Sequence, residues 1–469
     1  MNTSTESTNL PEAFLRRLAE VFPGAALLTD PVDCWTYGYD NSRRHALPRA
    51  VLFATSHDQV EAAIQLCNHF SIPLSARGRG TGTTGATVPL HGGVVLSLER
   101  MTKILEYSPE NRYISVEPGL INQCLQDKVR GNGLFWPPDP SSAAFCTIGG
   151  NLAYNSAGPR AVKYGTPREN TLGLRAVTGA GQEINTGVHT SKGVVGYDLT
   201  RLLLGSEGTL AVITAATLKL TPLAEATATL RAIYASVEAA AAAVAAIMAQ
   251  PATPCALEFI DGNAIALIRN HSDIELPVQA NALLLIEVDG PRQCLQHALQ
   301  QISKAASNDG LLEIAAAQSE TEVQTLWQTR KALAPALRNA AAKRINEDVV
   351  VPITRLPALL DGLSRLEKKY RLPVINFGHA GNGNLHVNLL LDTDNPEQNS
   401  RAQHCLDDLF NLVLQLDGSL SGEHGIGLEK RDFVDREIDR NSLDLMRGIK
   451  RQFDPNNILN PEKMLPLEN

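Results

Sequence analysis

Arg77-Gly78-Arg79-Gly80-Thr81-Gly82-Thr83-Thr84-Gly85 closes a run, Ile72 to Ala76, that reads as a buried strand. Its last six residues match the dinucleotide fingerprint G-x-G-x-x-G. A Rossmann turn also needs a helix directly after the glycines, because the helix N-terminus receives the pyrophosphate. Here the chain continues Ala86-Thr87-Val88-Pro89-Leu90-His91-Gly92-Gly93, with a proline and a glycine pair where that helix would form. The Rossmann reading fails. What remains is a stretch of backbone N–H groups with few side chains in the way, a nest suited to a phosphate.

Working outward, Ala50 to Ala54, Val94 to Leu98 and Tyr113 to Val116 read as further strands, and Ser56 with Gln59 caps a helix. The chain is rich in strands and glycine up to about Thr221, and the pattern changes near Pro222 to Ala226. Strands at Thr227 to Tyr234, Ala256 to Ile260 and Ala282 to Val288 then alternate with helices at Ser236 to Ala249 and Arg292 to Ala306. This predicts an α+β layer, one antiparallel sheet backed by helices. Leu326 to Ala342 and Leu356 to Tyr370 read as helices, and Val349 to Val351 as a strand ending at Pro352.

At 469 residues the chain exceeds a single core. Its net charge of −8 excludes a nucleic-acid surface, which needs a basic stripe. Met1 to Leu10 lacks the apolar region of a signal peptide. The most apolar stretch, Ala239 to Met248, is too short to span a membrane. Seven dispersed cysteines without a C-x-x-C pair fit reduced thiols in a cytoplasmic protein, and they exclude a closely spaced cysteine cluster for iron and sulfur.

Three further segments extend the glycine pattern. They are Asp139-Pro140-Ser141-Ser142 with Thr147-Ile148-Gly149-Gly150-Asn151, then Asn155-Ser156-Ala157-Gly158, and Gly205-Ser206-Glu207-Gly208 running to Ile213-Thr214. Together with the first loop they resemble the FAD domain of the vanillyl-alcohol oxidase / p-cresol methylhydroxylase family, over residues 48 to 221. The resemblance implies a p-cresol methylhydroxylase-type fold binding FAD. Arg77, Gly78, Arg79, Gly80, Thr81, Gly82, Thr83, Thr84 and Gly85 would wrap the pyrophosphate. Pro140, Ser142, Thr147, Gly149, Gly150, Asn151, Glu207, Gly208 and Ile213 would line the rest of the cofactor. Some members hold flavin covalently through a histidine in the glycine loop. This loop has none, which implies dissociable FAD, and His91 and Cys146 read as structural.

The C-terminal third carries a second pattern. Asn376-Phe377-Gly378-His379-Ala380-Gly381-Asn382-Gly383-Asn384-Leu385-His386-Val387-Asn388 begins as a glycine turn and ends as a strand that puts His386 and Asn388 on one face. Ser421-Gly422-Glu423-His424-Gly425 follows. Two imidazoles and a carboxylate suit zinc or a similar divalent ion with positions left open, provided the turn folds His379 back beside His386.

These segments resemble D-lactate dehydrogenases, glycolate oxidase flavin subunits and D-2-hydroxyglutarate dehydrogenases, and the likeness continues through Phe453-Asp454-Pro455-Asn456 to Lys463. It implies that His379, His386 and Glu423 bind the metal, Asn388 contacts substrate, His424 is the base and Arg330 holds a carboxylate. It also implies an FAD-binding domain over 1–222, a substrate and metal domain over 223–425, and a small helical segment over 426–469 packing back on the first. In 2-hydroxyglutarate dehydrogenases a threonine and a lysine stand where this chain has Ala334 and Asn346. That departure points to a lactate-sized acid, although Lys343 or Arg344 could replace the lysine. The expected protein is a D-2-hydroxy acid dehydrogenase, a homodimer that passes electrons to a quinone or an electron-transfer flavoprotein. A 2-hydroxyglutarate or glycolate enzyme, an oxygen-using oxidase and a non-catalytic FAD subunit stay open as alternatives.

Overall fold

A computed structural model describes residues 9–190, 192–269, 276–392 and 395–467, leaving aside the side chains of Ile268, Ala334, Pro335, Arg338 and Asn339. Two compact units divide the chain. The first comprises residues up to Ser156, Thr166–Pro222 and His424 onward, and the second Ala157–Gly165 with Leu223–Glu423.

The first unit contains two larger sheets and a two-stranded one that pairs Leu134–Phe135 with Thr221–Pro222. Strands β1 (Leu27–Leu28), β2 (Ala50–Phe53), β3 (Leu74–Arg77) and β4 (Val94–Ser97) lie in the order β1-β2-β4-β3. The pairs β2/β4 and β3/β4 are parallel. Helix α1 (His57–Phe70) makes the crossover between β2 and β3, its Val60, Ala63, Ile64 and Cys67 buried in the same core as Leu52, Leu74 and Leu96. Ser56 caps it by accepting from the Gln59 N–H at 3.3 Å, while the Gln59 side chain reaches back one residue further, to the N–H of Thr55. Strands β5 (Ile104–Ser108), β6 (Tyr113–Val116), β7 (Thr171–Thr178), β8 (Glu183–Gly187) and β9 (Ala211–Lys219) form an antiparallel sheet in the order β5-β6-β9-β7-β8. Helix α2 (Asn122–Arg130) buries Leu125 and Val129 in the same core as Ile114, Val116 and Leu174 of that sheet. The glycine loop runs from β3 to β4 with no helix between them, which explains why the fingerprint is not a Rossmann site.

The second unit is one seven-stranded antiparallel sheet with helices on both faces. Its strands are β10 (Ala226–Tyr234), β11 (Ala256–Asp261), β12 (Ala282–Gly290), β13 (Leu311–Ala316), β14 (Lys343–Val350), β15 (Val374–Gly378) and β16 (Asn384–Leu391), in the order β13-β10-β12-β11-β15-β16-β14. Alternation along the strands divides the side chains between faces. One face carries Ala232, Tyr234, Leu284 and Ile286 toward a layer that includes α3 (Val237–Ala249) and α5 (Arg292–Ala306), where the Tyr234 hydroxyl donates to Ala306 O. The other face is apolar at one end. There Ile233, Leu283, Ile260, Ile375 and Leu390 form a core with Ala264 and Ile265 of α4 (Gly262–Arg269) and with Leu326, Leu333 and Leu337 of α6 (Glu320–Ala340).

The opposite end of that same face is polar. The register sets Glu258 beside Leu285, His386 beside Phe377 and Asp348, and Asn388 beside Asn346. One continuous surface therefore changes from hydrophobic core to a row of charged and amide groups.

Two elements extend beyond their sequence reading. Helix α6 starts at Glu320, six residues before Leu326, because Ser319 accepts from the Glu322 N–H and the Glu322 carboxylate takes the N–H of Gln318. This polar first turn carries no apolar stripe. Strand β14 starts at Lys343 rather than Val349, since Arg344, Asn346 and Asp348 face the polar end and break the hydrophobic alternation.

Candidate active site

In the first unit a cavity lies against the glycine segments. Of the residues expected at the cofactor, Arg77, Gly78, Thr147, Gly149, Gly150, Glu207, Gly208 and Ile213 line it. The close approach of backbone explains two of the glycines. A Cβ on Gly78 would stand 2.4 Å from the Thr147 hydroxyl, and one on Gly149 would stand 2.6 Å from Pro118 Cβ.

Arg79 to Gly85, Pro140, Ser142 and Asn151 are not among the lining residues. The Asn151 side chain instead accepts from Asn122 and meets Cys146. Arg77 bonds to Tyr39 O at 2.6 Å and to the Thr87 hydroxyl, so its buried guanidinium braces the loop from beneath. Glu207 stands in a left-handed conformation, φ +53°, and accepts the N–H groups of Ile426 and Gly427 at 2.6 and 2.8 Å. Burial pushes its carboxyl up to about 7 against those two donors. Its contacts fix the chain directly after His424 and Gly425. Among the described residues of this unit, His91 meets Glu462 at 3.2 Å and Cys146 is buried.

The second unit gathers the metal candidates. Strand β15 ends at Gly378, and a short turn over Ala380–Asn382 returns the chain into β16. The turn depends on Gly383, at φ +71°, where a Cβ would stand 1.9 Å from Val351 O. It brings the His379 and His386 rings to 5.2 Å between centroids at 86°. Glu423 Oε1 lies 3.1 Å from His379 Nε2 and 3.7 Å from His386 Nε2, and Glu423 Oε2 accepts the Gly158 N–H. Nitrogen and oxygen donors of His379, His386 and Glu423 all lie within 4.8 Å of one another.

Two carboxylates that the sequence reading did not assign stand behind this trio. Glu258 Oε1 accepts from His379 Nδ1 at 2.5 Å, and its Oε2 accepts from Arg330 Nε at 2.7 Å. The Arg330 guanidinium also lies over the Phe377 ring, 4.6 Å from its centroid. Asp348 Oδ2 accepts the N–H groups of Gly422 and Glu423, both at 2.8 Å, and the Ser421 hydroxyl. Its Oδ1 accepts from Asn384 Nδ2 and lies 3.9 Å from His386 Nδ1. His379 thus bonds a carboxylate through each ring nitrogen, the arrangement that orients imidazoles at metal centres, and His386 turns Nε2 toward Glu423 and Nδ1 toward Asp348.

The electrostatics fit a cation. Burial would lower the His379 imidazolium, but the charges of Glu258 and Glu423 hold it up to about 10. Burial would raise Glu258, yet His379 and Arg330 hold it down to about 2. With both imidazoles neutral, as ligands must be, the cluster holds three carboxylates, Glu258, Asp348 and Glu423, with Arg330 paired to the first. A divalent ion would offset part of that negative charge.

Asn388 is fully buried on the same face. Its Nδ2 donates to Ile375 O and His386 O, and its Oδ1 has no hydrogen-bond partner. Asn346 stands opposite it, and the register puts Arg344 on this face and Lys343 on the other. The Ala334 side chain lies outside the described residues. A signal for Glu258 existed in the sequence, since it is the one charged side chain within the run Ala256-Leu257-Glu258-Phe259-Ile260.

Comparison with known proteins matches two segments of the chain. Residues 48–187 match an FAD binding domain, and residues 223–464 match the C-terminal domain of FAD linked oxidases. The chain therefore belongs to the FAD-linked oxidase family of flavoprotein oxidoreductases. It is 37% identical to glycolate oxidase subunit GlcD of Bacillus subtilis, covering 91% of each chain. It is 32% identical to D-lactate dehydrogenase of Anaerostipes hadrus, covering 96% of each. In fold it resembles p-cresol methylhydroxylase with substrate bound, with a TM-score of 0.79 at 18% identity over 97% of each chain. Among the described residues no helix is long and apolar enough to cross a membrane.

Proposed function

We propose that this flavoprotein is a dehydrogenase that oxidises a D-2-hydroxy acid of lactate size to the 2-oxo acid, with dissociable FAD and a divalent ion on His379, His386 and Glu423. The observation that carries this reading is the cluster itself: two histidines and a glutamate whose donor atoms converge, with the carboxylates of Glu258 and Asp348 behind the histidines. The donor set favours zinc. Relatives named as a glycolate oxidase subunit and a D-lactate dehydrogenase supply the substrate class.

When bound, the metal supplies Lewis acidity toward the 2-hydroxyl and FAD supplies the hydride acceptor. The chain's own groups do the rest. Arg330 pairs with the substrate carboxylate through the guanidinium edge that Glu258 leaves open. Asn388 turns its unpartnered Oδ1 toward a donor, which a 2-hydroxyl provides. His424, adjacent to Glu423 in the chain, accepts the hydroxyl proton. Electrons leave to a quinone or an electron-transfer flavoprotein, and the protein works as a cytoplasmic homodimer.

The test is a turnover screen of the purified protein with an artificial dye acceptor against D- and L-lactate, glycolate, malate and 2-hydroxyglutarate. D-lactate should be preferred, and acid should release intact FAD. Activity with none of these acids would refute the reading.

A further inference from the structure

Glu258 received no role from the sequence, yet it is 1% exposed and holds His379 and Arg330 at once. One oxygen receives the His379 Nδ1 proton at 2.5 Å, and the other receives Arg330 at 2.7 Å. We propose that Glu258 is a positioning residue that couples metal binding to capture of the substrate carboxylate, through one carboxylate shared by His379 and Arg330. The inference rests on the metal and substrate reading given above.

The physical argument concerns donors and acceptors. A carboxylate only accepts, so Glu258 keeps a His379 proton on Nδ1, and Nε2, the atom facing Glu423, is the one that gives up its proton to take a metal. The same carboxylate holds Arg330 flat against Phe377 by its Nε edge. No neutral side chain of the same shape can serve both. In Glu258→Gln, an amide oxygen turned to His379 leaves the amide N–H groups against Arg330. Turned the other way, it keeps Arg330 but presents N–H to Nδ1, which moves the ring proton to Nε2 and blocks the metal-facing atom.

Two readouts follow. Metal-stripped, FAD-loaded Glu258→Gln titrated calorimetrically with zinc chloride should bind zinc about 10- to 100-fold more weakly than the parent, with unchanged FAD content. Saturating zinc should then restore kcat for D-lactate while KM stays raised, because zinc draws the amide oxygen to His379 and leaves Arg330 unheld. A merely structural role would not produce that split. Zinc affinity within about threefold of the parent, together with an unaltered KM, would overturn the proposal. If the parent itself binds no zinc, the metal reading fails and takes this inference with it, a failure visible in the parent alone. Should Glu258→Gln not fold, Glu258→Asp is measured in the same way. Its shorter carboxylate reaches one partner only, so loss of either zinc affinity or KM is expected and retention of both refutes the coupling.

Discussion

Replacing Asp348 with asparagine exchanges one oxygen for an amide in a fully buried position that accepts four hydrogen bonds. The amide has two orientations. With its N–H groups toward Gly422 and Glu423, two backbone donors lose their acceptor, each at about 1–3 kcal/mol. With its N–H groups toward Asn384, one bond is lost, and the three at the other oxygen fall from charge-assisted to neutral strength, roughly half. Either orientation costs about 3–5 kcal/mol, as two orphaned donors or as one orphaned donor with three weakened bonds. A chain of two units does not unfold in one step, so a global midpoint is the wrong measure. Hydrogen exchange of the segment holding Gly422 and Glu423 reads the local cost directly. Those amides should open about 10²- to 10³-fold more often in Asp348→Asn, and zinc binding should weaken with them. Protection of both amides within about threefold of the parent would refute the reasoning, because neither orientation leaves the two buried N–H groups with a charged acceptor.

Three further outcomes follow. His424→Ala should lose about two to four orders of magnitude in kcat with FAD retained; a loss under about tenfold would remove His424 as the base. Arg344→Ala should abolish whatever activity the protein has toward 2-hydroxyglutarate while Lys343→Ala leaves it, since only Arg344 shares the face of Asn388 and His386; the opposite result in steady-state assays would contradict the register argument. Burial pushes the Asp261 carboxyl up to about 7 despite N–H donors from Ala264 and Asn376. Its contribution to stability is then full below about pH 4, the unfolded value, and is lost as pH rises through about 7. Exchange of the β11–α4 segment, corrected for intrinsic rate, should quicken over that window in the parent and not in Asp261→Asn.

The glycine loop was legible because a nest needs small residues in sequence, and the missing helix after Gly85 is a local fact. The antiparallel sheet was legible through its alternating strands. The backing carboxylates were not. Glu258 lies 121 residues from His379 and Asp348 lies 73 residues from Ser421, so their roles arise from strand register and not from spacing along the chain. The polar face of β14 hid the strand for the same reason: residues turned toward a site lose the apolar period by which a strand is recognised. Arg330 was expected to grip a carboxylate, and the structure supplies one from within, Glu258. That pairing joins a helix residue to a strand residue 72 positions away, and only the fold could reveal it.

The central claim is that bound FAD takes electrons from a D-2-hydroxy acid, and anaerobic mixing of the purified flavoprotein with D-lactate tests it without any acceptor. The account predicts that the visible absorption of the oxidised flavin bleaches at a rate no slower than dye-coupled turnover, and that L-lactate is about tenfold or more slower. A flavin that stays oxidised with D-lactate, glycolate and D-2-hydroxyglutarate alike would contradict it.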